Sequence, residues 1–407
     1  MTDAARRLTA LAEELLGTPF PLRIRAWDGS EDGPPGAPVL AVRHRRALRR
    51  FLWSPGELGL ARAWVAGELD ILGDLYEGMD RLSGLFWERG AGPGGGVRGG
   101  AAGRDVLRGG PLHSPRRDRR AVSHHYDVGN DFYALVLGPS LVYSCAYWTE
   151  GADLEAAQRD KLDLVCRKLA LRPGSRLLDV GCGWGALVLH AAREYGVRAV
   201  GITLSSEQAA HARKWIAEEG LADRVEIRVQ DYREVPDGPY DAIASIGMAE
   251  HVGSARYRAY AGVLHGLLRP GGRLLNHQIA RRPEPDEEEY RIDAFIDAYV
   301  FPDGELAPVG STVSRLEEAG FEVRDVEAIR EHYALTLRQW VARLERDWPR
   351  AVRMVSPGRA RVWRLYMAAS ALSFERNRIG VNQILAVRTP EGGTSGLPLR
   401  PRAWTET

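Results

Sequence analysis

From residue 173 onward, short apolar runs alternate with stretches whose apolar residues recur at helical spacing. The runs 176–180, 198–203, 225–230, 241–245 and 273–278 have the length and Val/Ile/Leu content of buried strands. Between them, 186–195, 206–218 and 255–268 predict amphipathic helices. This alternation predicts an α/β protein with a doubly wound parallel sheet. Two later strands, 321–326 and 383–387, could close the sheet, with helices at 335–346 and 359–374 between them. The acidic stretch PEPDEEEYRIDAFIDAYVFPDG, from Pro283, interrupts the pattern and predicts a helical insertion or lid.

The first 88 residues follow a different rhythm. Helices at 4–16 and 55–81 flank strands at 22–27 and 38–42, which predicts a small N-terminal α/β module. Residues 89–120 are dense in glycine, proline and arginine and cannot bury a core, so they predict a mobile linker. The linker ends in RRDRR at residues 116–120, a solvated charge run or a patch for anionic lipid headgroups. The division is then 1–88, 89–120 and 121–407.

Composition narrows the function classes. Of the 407 residues, 44% are apolar and 27% charged, as in soluble globular chains. A formal net charge of +1 argues against a nucleic-acid partner. The three cysteines fit neither a disulfide framework nor a zinc pattern, so no metal is expected and a cytoplasmic setting is. The first residues, MTDAARRLTALAEELLG, lack the apolar core of a signal peptide, and no run of eighteen apolar residues occurs.

The strongest short motif is LLDVGCGWGALVLHAA, beginning at Leu177. A strand ends near Asp179, Gly181, Gly183 and Gly185 alternate, and a helix follows at once. Such glycines let a ligand pass close to the backbone and turn the chain sharply. The spacing is GxGxG, whereas a dinucleotide site needs GxGxxG to bring pyrophosphate to the helix N-terminus. S-adenosylmethionine (SAM) has no phosphate, so the spacing favours SAM. The next strand ends in VGITLSSEQ, where Thr203, Ser205 and Gln208 can bond ribose or carboxylate oxygens. The third ends in VQDYREV, where Asp231 can accept from the adenine amine and Tyr232 can stack on the ring.

On the acceptor side, SIGMAEHVG brings Glu250 and His251 to the end of the fourth strand. There an acid serves equally well as helix cap or as acid/base group. LLNHQIA places His277 in an apolar strand, the usual setting of a satisfied core histidine. VYSCAYW holds Cys145, by residue type alone more often a small buried side chain than a nucleophile.

Taken with HHYDVGNDFY, FPDGELAP, EHYALTLRQW and FERNRIGVNQILAVR, these motifs make the chain resemble the cyclopropane-fatty-acyl-phospholipid synthases and their mycolic-acid methyltransferase relatives. The resemblance covers residues 121 to about 390, in the family's motif order, and more loosely the N-terminal module. It implies a class I SAM-dependent methyltransferase fold, Rossmann-like, with a helical lid. It further implies a bicarbonate ion held by Cys145, Glu250, His277, the backbone at Ile279, and Tyr333. SAM would be bound by Tyr143, Ser144, Gly181, Gly183, Thr203, Leu204, Gln208, Tyr232 and Ile246. The implied reaction is methyl transfer to the cis double bond of unsaturated phospholipid acyl chains. The resulting carbocation loses a proton from the new methyl and closes to a cyclopropane, or shifts and then loses a proton to leave a methylene branch, and a small-molecule SAM methyltransferase ranks below both. Tyr126, Tyr143, Tyr147, Trp148 and Tyr299 are candidates for cation–π stabilisation. The expected setting is the inner face of the membrane, with an N-terminal module that could dock there and support a homodimer.

Overall fold

The computed structural model describes residues 3–53, 57–87, 129–284, 294–301, 304–400 and 402. The expected linker, its arginine run, Tyr126 and half of the acidic insertion lie outside the described residues.

The chain divides into two compact units. One holds the N-terminal residues together with Asp286–Pro302 and Leu344–Leu372; the other holds Gly100–Pro285, Asp303–Arg343 and Ser373–Thr407. Two segments expected within the C-terminal block therefore group with the N-terminal residues.

The first unit contains a four-stranded sheet in the order β2-β1-β3-β4, formed by Arg23–Arg25 (β1), Glu31–Asp32 (β2), Val39–Val42 (β3) and Leu69–Leu72 (β4). The helix Ala4–Leu16 is where its periodicity predicts, and Leu8, Leu22, Ile24 and Val42 build a core beneath it. The helix expected over 55–81 is a misreading. It is broken into Glu57–Val65, strand β4, and Leu75–Trp87. Gly67 turns the chain at φ 72°. The acids that resemble the polar face of a helix are instead buried and paired. Glu68 meets Arg50 at 2.8 Å, and Asp70 meets Arg43, Arg361 and Arg364 at 2.7–3.3 Å.

The second unit is built on a mixed sheet in the order β11-β12-β9-β8-β5-β6-β7, with β10 paired to β9. Its strands are Arg176–Val180 (β5), Arg198–Thr203 (β6), Val225–Val229 (β7), Tyr240–Ile246 (β8), Leu268–Arg281 (β9), Ala307–Pro308 (β10), Glu322–Ala328 (β11) and Ile379–Val387 (β12). Strands β7, β6, β5, β8 and β9 run parallel, whereas β12 is antiparallel to both β9 and β11. The expected doubly wound sheet is therefore present, with an antiparallel pair added at one edge.

Chain order reverses at β5: the path runs outward through β6 and β7, then returns to β8 on the other side of β5. The carboxyl ends of β5 and β8 therefore flank the crevice where ligands of such sheets bind. Strand β9 is longer than the 273–278 expected because Pro270, Gly271 and Gly272 remain within it. A register shift in its pairing with β8 absorbs the irregularity there. Helices Val309–Glu318 and Trp348–Val355 were not anticipated. Of the acidic insertion, Ala294–Tyr299 is helical, as expected.

Candidate active site

The glycine turn begins where β5 ends. The Gly181 and Cys182 amides both donate to the Ile202 carbonyl of β6, at 2.9 and 3.0 Å, which holds the turn against the next strand. Gly181 has φ +80°, and a Cβ there would lie 2.5 Å from Met248 Sδ. Gly183 also has positive φ, and Gly185, at φ 89°, precedes the helix Ala186–Tyr195. The turn thus exposes backbone at the switch point. Asp179 just before it is buried, and burial raises its pKa to about 7.

At the end of β6, Thr203 Oγ1 donates to Gln208 Oε1 at 2.9 Å, and Ser205 caps the helix Ser206–Glu218 by accepting from the Gln208 amide. Leu204 lies between them, half-buried. The three predicted polar groups form one cluster with Gln208 oriented by Thr203.

At the end of β7, Asp231 has a partner in its own turn. Its carboxylate accepts from the Arg233 amide and side chain, with contacts of 2.7 to 3.0 Å. The Arg233 guanidinium in turn lies 5.0 Å from the centre of the Tyr232 ring. Tyr232 meets Tyr260 edge-to-face at 4.7 Å. Asp231 therefore fixes the turn that presents Tyr232, and its carboxylate is already ion-paired. Ile246, half-buried at the end of β8, pairs in register with His277.

On the acceptor side, the helix Ala249–Val252 follows β8 directly and carries Glu250. The Ile279 amide donates to Glu250 Oε1 at 2.8 Å. The Ile279 amide is thus engaged by the glutamate. Glu250 Oε2 is buried with no hydrogen-bond partner among the described residues, and so is His277 Nε2. Burial pushes the Glu250 carboxyl up to about 7. It pushes His277 down to about 3, helped by the nearby Lys161 and Lys168 charges. His277 is thus a neutral imidazole, and its two nitrogens face different surroundings.

Cys145 is fully buried. Its Sγ lies 3.2 Å from the Ala146 carbonyl and 3.7 Å from that of Ile329, so the thiol is a hydrogen-bond donor. Burial holds its pKa well above the usual thiol range. This is not the setting of a thiolate nucleophile, which needs an exposed or electropositive site.

Tyr143 belongs to an aromatic wall. Its ring centre is 5.7 Å from Tyr133 and 5.4 Å from Trp340. Trp184 continues the wall beyond Tyr133 at 4.8 Å, and Tyr333 meets Trp340 at 6.1 Å and Phe374 at 4.7 Å. The other described aromatic candidates have different duties. Tyr147 stacks on His332, Trp148 donates to Thr336, and Tyr299 packs on Phe295.

Several residues with no obvious sequence signal complete the site. Lys161, on the helix Leu154–Lys168, is 1% exposed, and its ammonium donates to Ser144 Oγ at 2.9 Å. Burial lowers its pKa to about 8, against the pull of Cys145 and Asp179. Lys168, about two helix turns further on, is also buried; it pairs with Glu327 and donates to Gln383 Oε1 at 2.8 Å. Gln383 Nε2 then lies 3.3 Å from His277 Nδ1. Lysines at such positions read as the solvated side of an amphipathic helix, and only the sheet packed over them shows otherwise.

The sequence profile of the mycolic acid cyclopropane synthetase family matches residues 113–384. The chain belongs to this family. It therefore has the class I SAM-dependent methyltransferase fold and is a methyltransferase of the cyclopropane-fatty-acyl-phospholipid synthase type. A probable fatty acid methyltransferase of Mycobacterium tuberculosis is 42% identical, over 94% of both chains. The cyclopropane-fatty-acyl-phospholipid synthase of Escherichia coli is 37% identical, over 69% of this chain and 71% of its own. Among solved structures, the mycolic acid cyclopropane synthase CmaA1 with SAH and CTAB superimposes with a TM-score of 0.62 and 35% identity. That match covers 66% of this chain and 98% of the other. The expectations of family and fold are thereby met.

Proposed function

We propose that this methyltransferase transfers the methyl group of SAM to the cis double bond of unsaturated phospholipid acyl chains and closes a cyclopropane ring. The observation that carries this reading is the pair of buried polar atoms with no partner among the described residues, Glu250 Oε2 on the helix that follows β8 and His277 Nε2 on β9. Buried polar atoms are rarely left without a partner, and both belong to the anion-holding set the family resemblance implies. A small oxyanion such as bicarbonate fits them: Nε2–H can donate, and a Glu250 carboxyl with a pKa near 7 can donate when protonated.

When bound, SAM would supply an electrophilic methyl and the oxyanion a base for the final proton. The protein's own work is positional. The glycine turn, Thr203, Gln208 and Tyr232 hold the SAM side, with Tyr143, Ser144, Leu204 and Ile246 beside them. Tyr143, Tyr333 and Trp340 line a wall that excludes water and offers π faces to a carbocation. Glu250, steadied by Ile279, and His277, with Cys145 and Tyr333 completing the set, orient the group that takes the final proton.

The test is mass spectrometry of phospholipids from a host expressing the full chain. A fatty acyl product heavier by one CH2 that resists hydrogenation is the expected cyclopropane. Absence of any such gain overturns the reading. A second product class is favoured by one comparison: a tuberculostearic acid methyltransferase of M. tuberculosis is 32% identical over 93% of this chain. A product that takes up hydrogen would assign the methylene-branching reaction.

Access to phospholipid implies work at the inner face of a membrane. Among the described residues no helix is long and apolar enough to cross one. Docking through the N-terminal unit and the arginine run at 116–120, with homodimerisation, is the arrangement we propose. Co-sedimentation with anionic vesicles that survives neutralisation of those arginines would overturn the role of the run.

A further inference from the structure

Behind His277, away from its unpartnered nitrogen, four side chains form a line: Glu327, Lys168, Gln383 and His277. They come from strand β11, the helix Leu154–Lys168, strand β12 and strand β9. Cross-strand pairing sets the last contact directly, because Gln383 and His277 are register partners. Lys168, Gln383 and His277 are each no more than 2% exposed, so solvent does not exchange with their hydrogen bonds.

The proton positions along this line follow from the chemistry of its members. The Lys168 ammonium has three protons to give and no acceptor, so it requires an oxygen. Glu327 provides one, and Gln383 Oε1, at 2.8 Å, provides another. Rotating the Gln383 amide would set its NH2 group against the ammonium, two donors with no lone pair between them. The amide is therefore fixed with its oxygen toward Lys168 and its nitrogen toward His277. An amide NH2 offers only protons, so His277 Nδ1, 3.3 Å away, must present its lone pair. In a neutral imidazole the single proton then sits on Nε2.

We propose that Lys168 and Gln383 are positioning residues that hold His277 as the Nε2–H tautomer, making it a hydrogen-bond donor toward an anionic oxygen in the active site. The role of a proton acceptor toward the site is closed to it in this tautomer. The base that takes the methyl proton must be another group, and the imidazole's part is to orient that group. This inference rests on the reading of His277 as a residue facing a bound oxyanion, but its central claim concerns a proton on a nitrogen and is measurable without substrate.

The experiment is long-range 1H–15N correlation on the full chain with 15N-labelled histidine, at neutral pH, with neither lipid nor SAM added. The sequence holds ten histidines, so His277→Gln assigns the signal by its loss. The expected pattern is a protonated Nε2 and an unprotonated Nδ1. Gln383→Glu places an acceptor on both sides, so the His277 proton should move to Nδ1. Gln383→Met, similar in volume but unable to bond, should release the constraint and give a mixture of tautomers. A wild-type signal from the Nδ1–H tautomer or from imidazolium overturns the proposal. So does an unchanged tautomer in a folded Gln383→Glu or Gln383→Met protein, with folding checked by circular dichroism and SAH binding by calorimetry. If Gln383→Glu does not fold, the wild-type spectrum and Gln383→Met still decide. A negative lipid-product test leaves this nitrogen assignment standing, so the two failures are distinguishable.

Discussion

The Ile279 amide holds Glu250 by one carboxylate oxygen, at 2.8 Å, and leaves the other oxygen buried with no partner among the described residues. A strand residue thereby decides which oxygen of the acid faces the reaction. Removing the side chain altogether leaves the Ile279 N–H and the oxyanion without their partner. Glu250→Ala should lower turnover by roughly 100-fold or more, because unmaking buried hydrogen bonds costs about 1–3 kcal/mol each. Steady-state assay on unsaturated phospholipid vesicles measures this.

Glu250→Gln separates charge from shape. The wild-type carboxyl titrates near pH 7 in the folded protein against an ordinary 4.5, because burial disfavours its charge. Folding stability from this group is therefore intact below pH 4.5 and is lost as pH rises to about 7. The amide carries no such cost. Glu250→Gln should be more stable than wild type above pH 7, by about 3 kcal/mol at 1.36 kcal/mol per pKa unit, with the difference vanishing toward pH 4.5. Parallel denaturant titrations across that window would show it; a pH-independent difference would contradict it.

Lys161 has the opposite charge and the same conflict. Its folded pKa near 8 lies below the ordinary 10.5, so the cost of burying the ammonium is full below pH 8 and fades toward 10.5. Lys161→Met should gain on the order of 2 kcal/mol at pH 7, once about 1 kcal/mol for the lost Ser144 bond is subtracted from the shift. The gain should shrink as pH approaches 10.5. Because Ser144 loses its anchor beside the SAM side, KM for SAM should rise several-fold.

Cys145 should behave as a structural thiol. Cys145→Ser should reduce turnover a few-fold without abolishing it. In the native protein all three cysteines are buried, so iodoacetamide at pH 8 should modify none of them, and all three after denaturation. Rapid alkylation of native Cys145, read by peptide mass spectrometry, would restore it as a nucleophile.

Gly181→Ala tests the cofactor turn. Its φ of +80° costs an L-residue about 1–2 kcal/mol, and the added methyl displaces Met248. SAH affinity by calorimetry should fall by roughly tenfold at that energy, and Met248→Ala on top should recover only the steric part.

Local signals served the sequence reading well wherever one element speaks for itself. β5, β6 and the helices that follow them have the boundaries their periodicity predicts, and the turn at Gly181 follows from glycine spacing alone. The reading failed where a residue's meaning depends on a distant partner. Glu68 and Asp70 resemble a polar helix face until arginines from elsewhere pair with them. Lys161 and Lys168 are the sharper case, since lysine is the residue type least expected inside. Their burial follows from packing that no short window contains. The resemblance supplied Cys145, Glu250, His277 and Tyr333, but none of the groups behind them.

Strand β12, residues 379–387, lies between β9 and β11 and brings Gln383 to His277. The last strand of the sheet in chain order, among the described residues, is therefore inserted between two earlier ones. A nascent chain that has emerged only as far as residue 378 already carries every residue of the predicted oxyanion set, yet β9 has a bare outer edge and His277 has nothing to fix its proton. Activity should arrive only once β12 has been made, and a stop codon between Tyr333 and Ile379 should yield a protein with every residue of the predicted oxyanion set encoded but with His277 lacking its Gln383 partner.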